Sequence, residues 1–148
     1  MPRYLVLAHQ TAANPQLVER VVALRQEAPT AEFVLVVPAT PVKLLLRRRE
    51  GADGRVASQR VAQAQAAFAA AGVPLADARV GDADPRQAVA AEVAGGSQYD
   101  AVVVSTLPQE QSRWLRSDLP AQIQAQHALP VIHVQATVAD LERMQEMP

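Results

Sequence analysis

The segment between residues 105 and 117 concentrates side chains that could hold an anion. Its hydroxyl and guanidinium groups belong to Ser105, Thr106, Ser112, Arg113, Arg116 and Ser117, which we expect to form a cationic, hydroxyl-rich surface. Arg113 and Arg116 are three residues apart, so a helical turn places them on one face. They could bind a phosphate or a carboxylate through charge-assisted hydrogen bonds. The alternative is that both are solvated or pair with Glu110 and Asp118, which contributes little free energy.

His9 is the second candidate, because it directly follows the first apolar run of the chain. It could accept a hydrogen bond from a ligand or titrate near neutral pH. The alternative is a turn histidine that bonds to a backbone carbonyl. His127 and His133 are far from it in sequence and show no close metal-ligand spacing, so we expect no zinc site.

No catalytic motif accompanies these residues. The sequence has no cysteine, no Gly-x-Ser-x-Gly elbow, no Walker loop and no Gly-x-Gly-x-x-Gly. Asp82 and Asp84 resemble a pair of catalytic acids, but Asp84 fits a helix N-cap and Asp82 fits a turn that binds amides. We therefore expect a protein that is not an enzyme.

Short apolar runs predict the strands that must position the candidate residues. They occur at residues 4–8, 33–37, 75–80, 101–104 and 131–134. These runs are too short for helices and most are rich in β-branched residues, which is typical of buried parallel strands. The first should be central, and the weakly alternating third should lie near an edge.

Helices are predicted between the strands. Asn14-Pro15 starts one that runs to about residue 27, and Asp84-Pro85 with Gln87 forms a capping box for another. An alanine-rich helix over 56–71 should end at Gly72 in the left-handed region. A further helix should start at residue 117 or 118, and a short one should cover 137–147.

The alternation of strands and helices predicts one domain, residues 1–148, of the α/β class. We expect a doubly wound, five-stranded parallel sheet in a Rossmann-like three-layer sandwich. Ligands in such sheets bind outside the carboxyl ends of the strands. His9 and the 105–117 segment should therefore lie at the same end.

Residues 39–60 form a locally basic block, with six basic residues against Glu50 and Asp53. Its Gly51 and Gly54 predict a mobile or irregular loop. Without interleaved aromatic residues or a positive net charge, we do not expect nucleic acid as a partner. A lid whose arginines reach an anion near residues 105–117 is the more plausible role.

The whole-chain composition excludes other classes. The net charge of −1 gives no general attraction to nucleic acid or to anionic membranes. No apolar stretch approaches the roughly 20 residues of a membrane span, and the first apolar run is too short for a signal peptide. We expect a cytoplasmic protein with no membrane partner.

From Gly81-Asp82 to Val134 the sequence resembles the universal stress protein family, within the adenine-nucleotide alpha-hydrolase-like superfamily. The resemblance rests on Gly81-Asp82, the capped helix after Asp84, Asp100 before the fourth strand, and Pro130-Val131 at the last. It implies the strand order 3-2-1-4-5, ATP or AMP as a ligand, and a homodimer, often through the final strand.

The nucleotide loop departs from the family pattern. ATP-binding members have glycines whose backbone approaches the phosphates, and here the corresponding positions are approximately Ser105, Pro108 and Ser117. Pro108 has no N–H to donate, Asp118 adds a negative charge, and His9 replaces a frequent aspartate. ATP and AMP therefore remain only candidate ligands of an altered site.

Two functions follow as expectations. The first is a non-catalytic universal-stress-protein-like module that binds a nucleotide or another small anion in the strand-end cleft. The candidate contacts are Ala8, His9, Gln10, Val37, Pro38, Ser105, Thr106, Ser112, Arg113, Arg116 and Ser117. The second is an interaction or dimerisation module that has lost nucleotide binding.

Overall fold

The computed structural model describes residues 2–9, 11–39, 52–95, 98–106 and 118–136. The strands are β1 (Arg3–Leu7), β2 (Glu32–Pro38), β3 (Asp77–Gly81), β4 (Ala101–Thr106) and β5 (Val131–Gln135). The helices are α1 (Pro15–Glu27), α2 (Ala52–Ala70), α3 (Pro85–Ala94) and α4 (Leu119–His127). The predicted helix at 137–147 lies outside the described residues.

The five strands form one sheet in the order β3-β2-β1-β4-β5. All four strand pairings are parallel, and β1 is central, with Leu7 opposite Val36 of β2 and Val104 of β4. The predicted α/β class, the parallel sheet and the order 3-2-1-4-5 are confirmed. The order reverses between β1 and β4, so the topological switch point lies there.

Apolar side chains cover both faces of the sheet, as two buried faces require. On one face α1 and α2 pack through Leu17, Val21 and Phe68 against alternate residues of the central strands. On the other face α3 and α4 pack through Val89 and Ile123. The helices before and after the switch point therefore lie on opposite sides, which gives the three layers.

Side-chain caps set the starts of α1 and α3. The Asn14 side chain accepts from the Gln16 amide at 2.8 Å, and Asp84 Oδ1 accepts from the Arg86 amide at 3.0 Å. The Asp84 amide donates to Asp82 Oδ1 at 2.8 Å. Because Asp82 takes this amide, the described contacts contain no reciprocal bond from Gln87. The N-cap is confirmed, but the predicted capping box is only half formed.

Helix α2 begins earlier than its sequence predicted. It runs from Ala52, so the end of the basic block is helical and the prediction of an irregular loop through Gly54 is wrong there. One glycine costs a helix about 1 kcal/mol, and packing of Ala57, Val61 and Phe68 against the sheet outweighs that cost. Gly72 follows the helix with φ of 84°, as predicted for a left-handed helix end. Residues 40–51 of the block lie outside the described part.

Close packing requires a glycine at residue 81, the end of β3. A Cβ atom there would lie 2.7 Å from Val36 Cγ1 and 3.0 Å from Ala88 Cβ. Glycine therefore lets α3 approach the sheet closely. Within the described residues, no helix is long and apolar enough to cross a membrane.

Candidate functional site

The carboxyl ends of β1 and β4 bring two hydroxyls together at the topological switch point. Thr11, just beyond β1, lies with its Oγ1 2.6 Å from Ser105 Oγ of β4, and either oxygen can donate. Both residues are buried, at 1% and 2% exposure. A buried hydroxyl needs a partner, and each of these supplies the other's. The bond ties the first loop of the chain to the fourth strand, 94 positions away.

His9 and Arg60 form the second contact of this end of the sheet. Arg60 Nη1 of α2 lies 2.8 Å from His9 Nε2 and 3.2 Å from His9 Nδ1. A guanidinium can only donate, so an unprotonated ring nitrogen of His9 must accept. Both side chains are half-buried.

His9 is uncharged in this arrangement. Its burial, and secondly the positive charge of Arg60, lower the pKa of His9 from 6.5 to about 4. At neutral pH the imidazole is therefore an acceptor and adds no positive charge. Burial also lowers the pKa of Arg60 from its ordinary value, although the guanidinium remains protonated at any physiological pH.

Arg60 lacks an acidic partner in the described part of the chain. The ion pairs formed there belong to Arg79 and Arg86. The contacts of Arg60 use Nη1 alone, so its Nε–H and Nη2–H groups donate to no described acceptor. An oxyanion could balance the charge of this half-buried cation and accept hydrogen bonds from its unused N–H groups.

Thr106 and His133 form a third polar contact, between β4 and β5. Thr106 Oγ1 lies 2.8 Å from His133 Nε2, and burial lowers the pKa of His133. Thr106 is 2% exposed, so its hydroxyl has no open path for a substrate. A hydroxyl beside a histidine resembles an activated nucleophile, but here the burial makes the bond a structural link between two strands.

The structure places only some of the predicted contact residues. Ala8 and Val37 are fully buried in the core cluster of α1 and α2, and Pro38, the last residue of β2, is buried as well. Ser105 and Thr106 lie inside β4 and are buried, whereas the sequence predicted a hydroxyl-rich surface there. Gln10, Ser112, Arg113, Arg116 and Ser117 lie outside the described residues.

Three residues of this strand end were not predicted as ligand contacts. Thr11 lies two positions after His9, and its only sequence signal was that closeness. Arg60 was counted in the basic block and falls within the helix predicted over 56–71, but its contact with His9 was not predicted. His133 was placed in the last strand but without its bond to Thr106. Contacts between residues this far apart in sequence leave no local pattern.

Asp118 confirms one predicted helix start. It is the N-cap of α4, is exposed, has φ of 58° and makes no side-chain cap bond. Within the described ranges, no three His, Asp or Glu side chains are grouped to hold a metal ion. Among the described residues, this end of the sheet offers chemically one guanidinium, the imidazoles of His9 and His133, and buried hydroxyls.

No family model matches the chain, and no curated protein is significantly similar to it in sequence. The resemblance to universal stress proteins therefore rests on the residues of the sequence alone.

Proposed function

We propose that this chain is a non-catalytic, universal-stress-protein-like module that binds a small anion at the carboxyl end of its sheet. The observation that carries the proposal is Arg60, half-buried, with uncharged His9 as its only described partner. Removing a cation from water costs free energy unless an anion pairs with it. A bound phosphate or carboxylate would supply that negative charge.

Nucleotides are the ligand class that we propose first, with ATP or AMP as candidates. The strand-end location supports this, because α/β sheets bind ligands outside the switch point, here between β1 and β4. Side chains would replace the glycine-rich backbone of the family as the phosphate contacts. Arg113 and Arg116 stay predicted as further contacts.

Equilibrium titration of nucleotide-stripped protein with ATP, AMP and a cyclic nucleotide tests the proposal. We expect saturable binding below about 1 mM, weakened at least about tenfold by Arg60→Gln. Arg20→Gln is the matched control, since Arg20 is an exposed arginine of α1 and should leave binding unchanged. Absence of saturable binding in this range would contradict the proposal.

A second candidate is an interaction module without a nucleotide. Two observations favour it: Thr11 and Ser105 satisfy each other's hydroxyls, and β5 is an edge strand with half-buried Val131, Ile132 and Val134. An edge strand can pair with a second copy, so this candidate predicts a homodimer through β5. Sedimentation equilibrium tests it, and a monomer at about 100 μM would argue against it.

The proposal also includes a cytoplasmic location and no hydrolysis of the ligand. The buried Thr106 hydroxyl supports the second part, because a nucleophile must reach its substrate. ATP turnover that a single His9→Gln substitution abolished would overturn the non-catalytic assignment.

A further inference from the structure

The contact between His9 and Arg60 has a chemical consequence for any anion that binds there. Arg60 Nη1 donates to a ring nitrogen of His9 at 2.8 Å, which requires an imidazole that accepts. A protonated imidazole has two N–H donors and no acceptor, so it could not keep this bond. The same protonated imidazole would be a donor suited to an oxyanion.

We propose that His9 and Arg60 form an oxyanion site that takes up one proton when it is occupied. In the free protein, His9 accepts from Arg60. In the occupied protein, the imidazolium of His9 and the guanidinium of Arg60 both donate to the same tetrahedral dianion, such as sulfate or a phosphomonoester. The proton comes from the solvent, and His9 changes from acceptor to donor. This inference rests on the proposed function, because it specifies how the anion is held.

The unused donors of Arg60 support this geometry. Its Nε–H and Nη2–H groups lie on the edge of the guanidinium that makes no described contact, and that edge matches two oxygens of a sulfate or phosphate. The anion can therefore engage Arg60 before the bond to His9 is broken. Once bound, its negative charge opposes both causes that keep His9 uncharged, burial and the charge of Arg60.

Among the described groups around His9, Arg60 is the charge that acts on the protonation of its imidazole. Neighbouring β2 ends in apolar Val37 and Pro38, and neighbouring β4 ends in the hydroxyl residues Ser105 and Thr106. The first turn of α1 contains no acidic residue. Beyond β4, the end of β5 contributes His133, whose ring nitrogen bonds to Thr106. None of these described groups supplies a carboxylate that would stabilise an imidazolium without a ligand.

Sulfate is the probe that isolates the proton of the protein, because it stays a dianion across the pH range that matters. Its affinity should be measured calorimetrically between about pH 8 and pH 5 at constant ionic strength. Uptake of one proton makes the affinity rise about tenfold for each unit by which the pH is lowered, beginning where bound His9 becomes protonated and ending where His9 of the free protein does. Titrations in two buffers of different ionisation enthalpy should show close to one proton taken up.

Substitutions distinguish the role of His9 from the role of Arg60. His9→Gln keeps an acceptor for Arg60 but cannot take a proton, so sulfate should bind with an affinity that no longer depends on pH. Arg60→Gln should abolish saturable binding. His127→Gln, in the last turn of α4, removes a histidine outside the site and should keep the wild-type pH dependence.

The outcomes distinguish this inference from the proposed function. Sulfate binding that is independent of pH, or sulfate or AMP binding that survives Arg60→Gln, would overturn the proton-coupled site while leaving an anion-binding module in place. Failure of sulfate, ATP and AMP to bind at every pH would overturn both. A pH dependence that persists in His9→Gln would assign the proton to another group and overturn the role of His9.

Discussion

Arg79, in strand β3, and Arg60, in helix α2, differ in how the protein compensates their charge. Arg79 of β3 places Nε 2.6 Å from Glu92 Oε1 and Nη1 3.0 Å from Asp77 Oδ2. The Tyr99 hydroxyl donates to the other Glu92 oxygen at 3.3 Å, and the Arg3 guanidinium lies 5.7 Å from the centre of the Tyr99 ring. We call this set the Arg79 network.

The electrostatic consequences are opposite. Burial lowers the pKa of Arg79, but the charges of Glu92 and Asp77 outweigh burial and raise it above its ordinary value. For Arg60, burial lowers the pKa and no described carboxylate compensates. Carboxylates of the protein itself therefore balance the positive charge of Arg79. No described carboxylate balances Arg60, so Arg60 can still pair with an external anion. The difference indicates that the first arginine is structural, and it supports our proposal that the second binds an anion.

The largest expected effect is on the free energy of unfolding in the presence of a ligand, in which the Arg60 and Arg79 variants should differ. At about 100 times its dissociation constant, AMP should stabilise the wild type against urea by about 2.7 kcal/mol. Arg60→Gln should lose this increment. Arg79→Gln should keep it, although its stability without AMP should fall by about 0.5 kcal/mol because Arg79 is well exposed. Equal loss of the increment in both variants would show that the two arginines do not differ in the way we propose.

The hydroxyl pair at the switch point gives the next effect. Thr11→Val should destabilise the fold by about 1–2 kcal/mol, because Ser105 is left buried without its partner. The double variant with Ser105→Ala should cost less than the sum of the single variants, since it leaves neither hydroxyl unpaired. Urea unfolding of all four proteins measures the coupling. Additive costs would mean that the two hydroxyls do not support each other.

The stability of the free protein should also depend on the protonation of His9. The pKa of His9 is about 4 in the folded protein, below its ordinary value of 6.5. The unfolded chain therefore binds the proton more readily, so stability is fully present above about pH 6.5 and is lost as the pH falls through about 4. Allowing for solvent screening of a half-buried group, the loss should be about 1 kcal/mol.

Urea unfolding at about pH 7 and pH 4.5 measures this loss. His9→Gln should remove the part of the pH dependence of stability that is due to His9. His127→Gln should leave that part unchanged. An unchanged slope in His9→Gln would show that the folded protein does not hold His9 in its uncharged form.

The smallest effect concerns the Arg79 network. Burial, and secondly the charge of Glu92, raise the pKa of Tyr99. In a Tyr4→Phe background, where Tyr99 is the remaining tyrosine, Glu92→Gln should lower that pKa, as measured by the absorbance of the phenolate. Glu19→Gln, at an exposed position of α1, is the matched control. If Glu92→Gln left the pKa of Tyr99 unchanged, the charge of Glu92 would not be a cause of the raised pKa.

Much of the fold could be predicted because its signals are local. Apolar runs gave the strands, and the Asn14-Pro15 and Asp84-Pro85 pairs gave the starts of α1 and α3. Gly72 gave the end of α2 through its need for positive φ. The start of α2 was missed, since Gly54 indicates a loop locally while the helix gains its stability from packing of Ala57, Val61 and Phe68.

The candidate site was predicted less well, and for a related reason. Its location at the carboxyl ends of the strands followed from the α/β class, and His9 was identified by its place after β1. Its partners were not identified, because Arg60 is 51 positions away and the Thr11–Ser105 bond spans 94. Separations of this size have no periodicity that a sequence can reveal.

The sequence by itself determined the α/β class, the succession of strands and helices, and the end of the sheet at which polar groups gather. Periodicity, capping residues and chain length are properties of neighbouring residues, and they suffice for this. Only the tertiary structure decided that Ser105 and Thr106 are buried, that His9 is an uncharged acceptor, and that Arg60 lacks a described carboxylate. Burial and charge compensation depend on which distant segments meet, and these set the chemistry of the site.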